Sequence, residues 1–368
     1  MPKTKSKLNL PVLLLTAALV VIGLSMLWSA STAESTQNFG NTTYYLVHQL
    51  TRGVLIGAIS LYFFSRFDYN KLKKPAGIFL AVALVLLVLV KMPGLGVTAN
   101  GATRWISLGP IFFQPAELAK LAVIIYLAAW MSKPDRAPSN NFWHSVFPPL
   151  VLIVVMSMLI IWQPDLGSTL SLLAISMTMF FAGGVRLKYL AGLAVSGVVA
   201  VLGIAWIEPY RLQRITAFLN PSGDPLGIGY QINQALIAVG SGGLFGYGYG
   251  LSRQKHFYLP ETINDSIFAI IAEELGFIRI VLILLIFGAL LYKMMQVALK
   301  ASDNFGRMLA IGITSLIAIN VTINIAAIIG LVPLTGIPLP FFSYGSTAMI
   351  VNLTAIGILL NISKQSKA

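Results

Sequence analysis

Residues 308–363, MLAIGITSLIAINVTINIAAIIGLVPLTGIPLPFFSYGSTAMIVNLTAIGILLNIS, contain no charged side chain. Roughly 20 apolar residues cross a bilayer as one helix, so this stretch is too long for a single span. It is interrupted in the middle by Gly330, Pro333, Gly336, Pro338 and Pro340, and proline breaks helices because it lacks a backbone N–H. The stretch therefore predicts two membrane helices joined by an irregular segment.

The composition of the whole chain agrees with a membrane protein. Its 368 residues are 57% hydrophobic and 10% charged, with a mean hydropathy of +0.82, whereas soluble domains carry about 25% charged residues. This balance excludes an ordinary soluble globule, a disordered chain and a nucleic-acid-binding domain. The chain has no cysteine and three widely separated histidines, which excludes disulfides and makes a histidine or cysteine metal centre improbable.

Charge-free runs predict an all-α integral membrane fold of about ten transmembrane helices, in a single domain that covers residues 1–368. A cleaved signal peptide is the alternative for the first run, but that run exceeds the usual length of such a segment. In addition to the two helices of residues 308–363, we predict spans within Leu8–Ala33, Gly53–Ser65, Pro75–Val90, Glu117–Ser132, Ala137–Pro164, Leu166–Val185, Tyr189–Ile207 and Ser266–Tyr292.

The distribution of lysine and arginine predicts the orientation in the membrane. An even number of spans places both termini on one side, and both termini carry lysines. With the termini inside, most Lys and Arg fall on the cytoplasmic side, and this bias accounts for most of the net charge of +13. The sequence therefore predicts a multi-pass protein of the cytoplasmic membrane with both termini cytoplasmic.

Two connections on the predicted outer side are long, and long loops in compact proteins are often functional. The first is Lys91–Ala116, and the second is the large extracytoplasmic loop of about residues 208–265, between the seventh and eighth helices. Apolar residues interleave with the glycines of 223–250 at roughly helical spacing. We therefore expect short helices on the membrane surface in that loop rather than a flexible tether.

An ionisable side chain in an apolar helix is costly to bury, so such residues are usually paired or functional. Glu117 and Lys120 are three residues apart and share a helix face; they form either a structural ion pair or a site where Lys120 meets a phosphate. Asp165, in the reversal after Gln163, is expected to cap the sixth helix, with a catalytic role as the alternative.

The richest group of carboxylates lies where the second long loop meets the eighth helix. An aspartate at a helix start, such as Asp265, is usually a cap. Glu261, Asp265, Glu273 and Glu274 are however predicted to converge there, which exceeds what capping needs, and one of them is a candidate general base. Spacing alone does not say which. The irregular segment 335–346 is expected to be buried or to line a wet cavity, where Ser343, Tyr344 and Ser346 would offer hydrogen bonds to a polar head group; a plain loop between the ninth and tenth spans is the alternative.

These motifs resemble the SEDS family (shape, elongation, division and sporulation), which includes FtsW, RodA and SpoVE. The resemblance extends in order along nearly the whole chain and is somewhat closer to the FtsW/SpoVE branch. It rests on NGATRWI (100–106), QPAELAK (114–120), QPDLGS (163–168), PSGDPLGIGYQ (221–231), residues 238–250, residues 259–276 and residues 335–345.

The resemblance implies a peptidoglycan glycosyltransferase that polymerises lipid II into β-1,4-linked glycan strands during cell division or wall growth. It also implies a class B penicillin-binding protein as partner, together with other division proteins, and no organic cofactor. The family's catalytic aspartate falls on Asp265. Arg104, Lys120, Arg211 and Arg214, or a divalent cation such as Mg²⁺ or Mn²⁺, would stabilise the pyrophosphate leaving group. The remaining substrate-binding candidates are Glu117, Gln163, Asp165, Glu261, Ser343 and Tyr344.

Three departures from the family pattern and two other functions stay open. The departures are Asn264 and Ser266 on either side of Asp265, Ser346 in place of a glycine, and Arg279 in an apolar helix, where it is expected to pair with a carboxylate or to mark an altered variant. The other functions are a lipid II flippase, which needs charged groups through the full membrane depth, and a non-catalytic scaffold for the transpeptidase.

Overall fold

The structure is a computed structural model that describes residues 9–99, 102–109, 111–133, 142–207, 209–224 and 227–366. Helices dominate it, and the all-α membrane fold is confirmed. They are α1 (Leu10–Phe39), α2 (Tyr44–His48), a π-helix (Gln49–Leu55), α3 (Ile56–Arg66), α4 (Ala76–Leu89), α5 (Pro115–Met131), α6 (Phe142–Ser145), α7 (Phe147–Trp162), α8 (Leu166–Ala182), α9 (Leu187–Ile207), α10 (Pro209–Leu219), α11 (Ile228–Ser241), α12 (Ile267–Leu299), α13 (Asn304–Ile328) and α14 (Ser346–Gln365), with short 3₁₀ turns at Tyr69–Leu72 and Pro221–Gly223.

Each predicted span falls on an apolar helix of this order. Within the described residues, five helical segments are long and apolar enough to cross a membrane: Leu10–Phe39, Tyr44–Arg66, Ile267–Leu299, Asn304–Ile328 and Ser346–Gln365. Ala76–Leu89, Phe147–Trp162 and Leu166–Ala182 are shorter apolar helices. The second span begins at Tyr44 and not at Gly53, because the backbone continues through the π-helix.

The most buried helices form the centre of the bundle. Helix α14 packs against α3, and α13 packs against α12, α5 and α8. Large apolar side chains such as Ile59, Leu282 and Leu285 are exposed on the outer faces, as expected of surfaces in contact with lipid. Helix α1 packs against α12, so the first apolar run is an integral part of this core.

The connection at 91–116 contains a small antiparallel sheet that the sequence interpretation did not foresee. Its strands β1 (Gly96–Ala99), β2 (Ala102–Leu108) and β3 (Ile111–Phe113) pair in the order β1-β2-β3. Ile106 pairs with Gly96 on one side and with Phe113 on the other. The sheet holds Arg104 above the loop between α7 and α8.

The large loop contains helices, as predicted, and contacts of its glycine-rich segment with α12 order it further. Helices α10 and α11 lie in it, and the glycine-rich segment after α11 crosses α12 where that helix is kinked at Gly276 (φ 74°). Tyr247 and Gly248 donate their N–H groups to the carbonyls of Glu273 and Glu274, at 3.0 Å each. The segment therefore pairs with the backbone of α12 and is not a tether.

Candidate functional site

Asp265 lies in the turn that precedes α12, and the 335–345 segment holds this turn in place. Tyr344 donates its N–H to the carbonyl of Ile263 (2.8 Å), and the Ser343 hydroxyl donates to the carbonyl of Asn264 (2.6 Å). The Asn324 amide of α13 donates to the carbonyl of Asp265 itself (2.8 Å). The 335–345 segment and α13, both distant in sequence, therefore hold the backbone of the turn that carries Asp265.

The side chain of Asp265 is half-buried, and its Oδ1 atom is enclosed without a hydrogen-bond partner among the described residues. Helix α12 has its N-cap at Ser266, so Asp265 does not occupy the capping position. The segment beside it is open at Gly336, which is exposed; a Cβ atom there would lie 4.0 Å from Asp265 Oδ2. The carboxylate is therefore shielded but lies beside an opening.

The surroundings of Asp265 favour its protonated form. Burial and, to a smaller extent, the nearby charge of Glu261 raise the pKa of Asp265, the positive charge of Arg214 lowers it, and the net pKa is about 6. A carboxyl group with a pKa near the working pH is suited to act as a general base, because it is ionised yet still takes up a proton readily.

Two charged candidates flank this carboxylate. Arg214, on α10, donates from Nη1 to the carbonyl of Leu334 at 2.9 Å. Glu261 accepts a hydrogen bond from the Asn264 amide at 2.5 Å, on a backbone with φ of 55°. Arg211 is on α10 as well, but its side chain is outside the described part of the structure.

Ser343 and Tyr344 fasten the loop to the rest of the protein. Ser343 accepts the N–H of Leu339 (2.8 Å) in addition to its bond to Asn264. The Tyr344 hydroxyl lies 3.0 Å from His48 Nδ1, and burial raises the pKa of this phenol to about 12. The segment is largely buried, from Leu334 through Phe342, as was expected of irregular backbone at membrane depth.

Gln163, Asp165 and Arg104 form a second group, at the junction of α7 and α8. Asp165 accepts from the N–H and the hydroxyl of Ser168, at 2.9 and 2.7 Å, which confirms the predicted N-cap of α8. Gln163 is fully buried and donates to the carbonyl of Leu87 at 2.8 Å. Arg104 donates to the carbonyls of Gln163 and Pro164, where a cation compensates the helix dipole.

Glu117 and Lys120 form a buried ion pair. Lys120 Nζ lies 2.7 Å from Glu117 Oε1, and both side chains are at most 2% exposed. Glu117 also lines a small cavity together with Asn320, Ser343, Asn352 and the Pro338–Phe341 turn. The pair is therefore joined through this cavity to the segment that holds Asp265.

The predicted convergence of four carboxylates is wrong for Glu273 and Glu274. These two residues lie about two helical turns beyond Asp265 and bind the loop 250–255. Glu273 accepts the N–H of Arg253 at 2.9 Å, and Glu274 forms an ion pair with Lys255 at 3.0 Å. The two glutamates therefore hold the loop 250–255 on α12. Glu274 also accepts a hydrogen bond from the hydroxyl of Ser29 on α1 at 2.7 Å, which connects α1 to the same group.

Arg279 does not pair with a carboxylate in the described residues. It donates to the carbonyl of Phe245 at 2.9 Å, across the kink at Gly276. Among the described residues, no group of three or more Asp, Glu or His side chains is placed to hold a metal ion.

Sequence reasoning missed Gln49, Asn324 and Thr335. Gln49 is buried on the π-helix and binds both sides of Tyr344, by donating to the Ser343 carbonyl (3.4 Å) and accepting from Gly345 N–H (3.2 Å). These residues were overlooked because they carry no charge. Asn320 and Asn324 nevertheless lie in an apolar helix, where polar side chains are unusual and often functional.

Comparisons with known proteins agree on one family. The family model described as cell cycle protein, FtsW/RodA/SpoVE, matches residues 10–368. The chain is 41% identical to stage V sporulation protein E of Bacillus subtilis (strain 168), with 100% of both chains covered. It is 42% identical to the probable peptidoglycan glycosyltransferase FtsW of Trichlorobacter lovleyi, over 98% of this chain and 94% of that protein.

Solved structures share the same fold. A chain in a peptidoglycan synthase complex that coordinates polymerization and crosslinking superimposes with a TM-score of 0.79 at 26% identity, over 97% of each chain. The rod shape determining protein RodA of Thermus thermophilus superimposes with a TM-score of 0.72 at 26% identity, over 98% of each chain.

Proposed function

This chain belongs to the FtsW, RodA and SpoVE family of cell cycle proteins, and we propose that it is a peptidoglycan glycosyltransferase that polymerises lipid II. The relatives named for this activity are 37–42% identical over nearly the whole chain. The observation that carries the proposal is the carboxylate of Asp265, which is shielded, has an unpaired Oδ1 and lies beside an opening at the start of a membrane helix.

The proposed reaction is a single inverting displacement. The 4-hydroxyl oxygen of the acceptor sugar attacks the anomeric carbon of the donor, and a new C–O bond forms. The bond between that carbon and the pyrophosphate oxygen breaks, and its electron pair leaves with undecaprenyl pyrophosphate. Asp265 takes the proton of the attacking hydroxyl, as a general base.

The anionic leaving group needs positive charge nearby. Arg214 is the best placed of the described candidates, because its charge already acts on Asp265. Arg104 is engaged with carbonyls and Lys120 with Glu117. Mg²⁺ usually keeps several waters and binds mainly to substrate phosphates, so a divalent cation at the pyrophosphate stays a prediction; EDTA would then abolish polymerisation and Mg²⁺ or Mn²⁺ would restore it.

The location and the partner follow from the same proposal. Family membership and the apolar helices make this a multi-pass membrane protein. We place both termini in the cytoplasm, and therefore Asp265 at the outer face, where the lipid II head group would be used. A class B penicillin-binding protein is the proposed partner, supported by the likeness to a chain of a peptidoglycan synthase complex.

The test is polymerisation of purified lipid II by the wild type and by Asp265→Asn, with and without the partner. Asn preserves size, so we expect a folded protein with activity lowered by roughly 10²–10⁴-fold. Asp303→Asn is the matched control, because Asp303 caps α13 at another helix start and binds Tyr69. Near wild-type activity of Asp265→Asn would remove Asp265 as the base and leave Glu261 as the next candidate.

The same variants separate the two other functions. A flippase or a scaffold does not need a proton acceptor at Asp265. Lipid II binding without glycan synthesis in Asp265→Asn would therefore count against both. Lipid II transport by the wild type without any glycan product would favour the flippase.

A further inference from the structure

Asn324 ties Asp265 to the irregular segment that follows α13. The side chain is 2% exposed, and its Nδ2 atom donates to the carbonyl of Asp265 and to the carbonyl of Ile337, at 2.8 Å each. Both acceptors are carbonyl oxygens, so only the NH₂ group can face them and the orientation of the amide is determined. Both donors of Asn324 are thereby used.

The other end of this amide has no partner. Within the described part of the chain, Asn324 Oδ1 is enclosed without a hydrogen bond, and so are Asp265 Oδ1 and Thr335 Oγ1. These three residues are neighbours through the contacts above: Asn324 binds Asp265 and Ile337, and Gly336 lies between Thr335 and Ile337. An enclosed polar atom without a partner destabilises the folded state, so several in one place indicate a group that supplies hydrogens when it is bound.

The chemistry of the three oxygens indicates a ligand with hydroxyl groups. A carboxylate, an amide oxygen and a threonine hydroxyl all accept hydrogen bonds. A cation is disfavoured there, because only one of the three is charged and the positive charge of Arg214 already acts on Asp265. The hydroxyl groups of a sugar can supply several neutral hydrogen-bond donors, enough for each of these three oxygens.

We propose that Asn324 is a positioning residue, which fixes the backbone of Asp265 against the 335–345 segment and, with Thr335, accepts hydrogen bonds from the sugar of the bound substrate. This inference rests on the proposed glycosyltransferase function and assigns sugar recognition to two residues beyond the base. Loss of the Asn324 tie would let the turn at Asp265 relax, admit water and displace the base from the attacking hydroxyl.

The test compares Asn324→Ala and Thr335→Val with Asn361→Ala in lipid II polymerisation across pH. Asn361 is the matched control, since it is also buried and binds two backbone groups, the N–H of Tyr69 (3.0 Å) and the carbonyl of Ser65 (3.2 Å), at the far end of α14. The charges that face Asp265 are those of Glu261 and Arg214, and residues 308–363 bring no others. All of these stay in place in the variants.

We expect Asn324→Ala to lower kcat by roughly 100-fold, the loss that a displacement of about 1 Å causes, and to move the acid limb of its pH profile toward the ordinary aspartate value of about 3.9. Asn361→Ala, with only a structural role, should leave the acid limb and KM unchanged. Thr335→Val removes a hydroxyl that has no hydrogen-bond partner among the described residues, so the fold should be retained and KM for lipid II should rise roughly tenfold, or about 1.4 kcal/mol.

The outcomes distinguish this inference from the function on which it rests. Wild-type kcat, KM and pH profile in both Asn324→Ala and Thr335→Val, with Asp265→Asn inactive, would overturn the inference alone. If Asn324→Ala fails to fold, the KM of Thr335→Val decides. A wild-type protein that makes no glycan would overturn the function as well.

Discussion

At the scale of single residues, the Glu117–Lys120 pair puts two charges into an apolar helix at a distance of 2.7 Å. Removing one partner leaves an uncompensated buried charge, which costs about 3–5 kcal/mol, whereas replacing both with apolar residues is often neutral. We expect Lys120→Met to lower the thermal unfolding temperature in detergent much more than Glu117→Leu/Lys120→Met. Equal destabilisation by the two variants would contradict a structural ion pair.

The same double variant tests Lys120 as a pyrophosphate ligand. If it is folded and polymerises lipid II, Lys120 leaves the list of groups that stabilise the leaving group. If it is folded and inactive, the pair serves the substrate.

The role of a single residue could be predicted from sequence where a local pattern decides it, as for the cap at Asp165. It was not readable for Arg279, whose carbonyl partner is distant in sequence.

At the scale of elements, the kink of α12 depends on a glycine. Gly276 has φ 74° and ψ 173°, a region that is essentially restricted to glycine, and a Cβ atom there would overlap the backbone nitrogen of Gly246. We expect Gly276→Ala to lose about 1–3 kcal/mol from backbone strain alone and to loosen the loop over α12.

Gly288→Ala is the matched control for that prediction. It is on the same helix, and nothing lies within 4 Å of an added Cβ, so its unfolding temperature should stay close to wild type. Thermal unfolding in detergent measures both variants, and equal stability of the two would contradict the tight crossing at Gly276.

The helices themselves were predictable, because long charge-free runs have few other solutions in a membrane. The sheet at 96–113 was not, since its strands are 3–7 residues long and show no clear alternation. The kink was also missed. The backbone partner that requires it comes from a loop about 30 residues earlier, and no local pattern in α12 records that crossing.

At the scale of the whole molecule, the absence of cysteine allows a clean test of topology. We expect Ser366→Cys to be labelled by a membrane-impermeant maleimide only after the cells are opened, because both termini are predicted to be cytoplasmic. Leu244→Cys, an exposed residue in the large loop, should be labelled in intact spheroplasts. Labelling of position 366 from outside would contradict the ten-span topology.

The assembly of the site belongs to this scale and shows where sequence reasoning ends. Asp265, Arg214, Asn324 and Gln49 come from four different elements. Asn324 binds the carbonyl of Asp265, Arg214 binds the carbonyl of Leu334, and Gln49 binds the carbonyl of Ser343. Sequence distances do not encode those contacts. The family resemblance identified Asp265, and the structure adds the neighbours that shield and hold it.

The pH dependence of lipid II polymerisation tests the central claim most directly. A general base must be ionised, and burial with the charge of Glu261 raises the pKa of Asp265 to about 6. We therefore predict that kcat/KM falls about tenfold per pH unit below about pH 6, because the fraction of ionised carboxylate falls by that factor, and that the protein remains folded over this range. A profile that stays flat down to pH 5, or an Asp265→Asn variant with wild-type rates, would contradict the claim that Asp265 is the base.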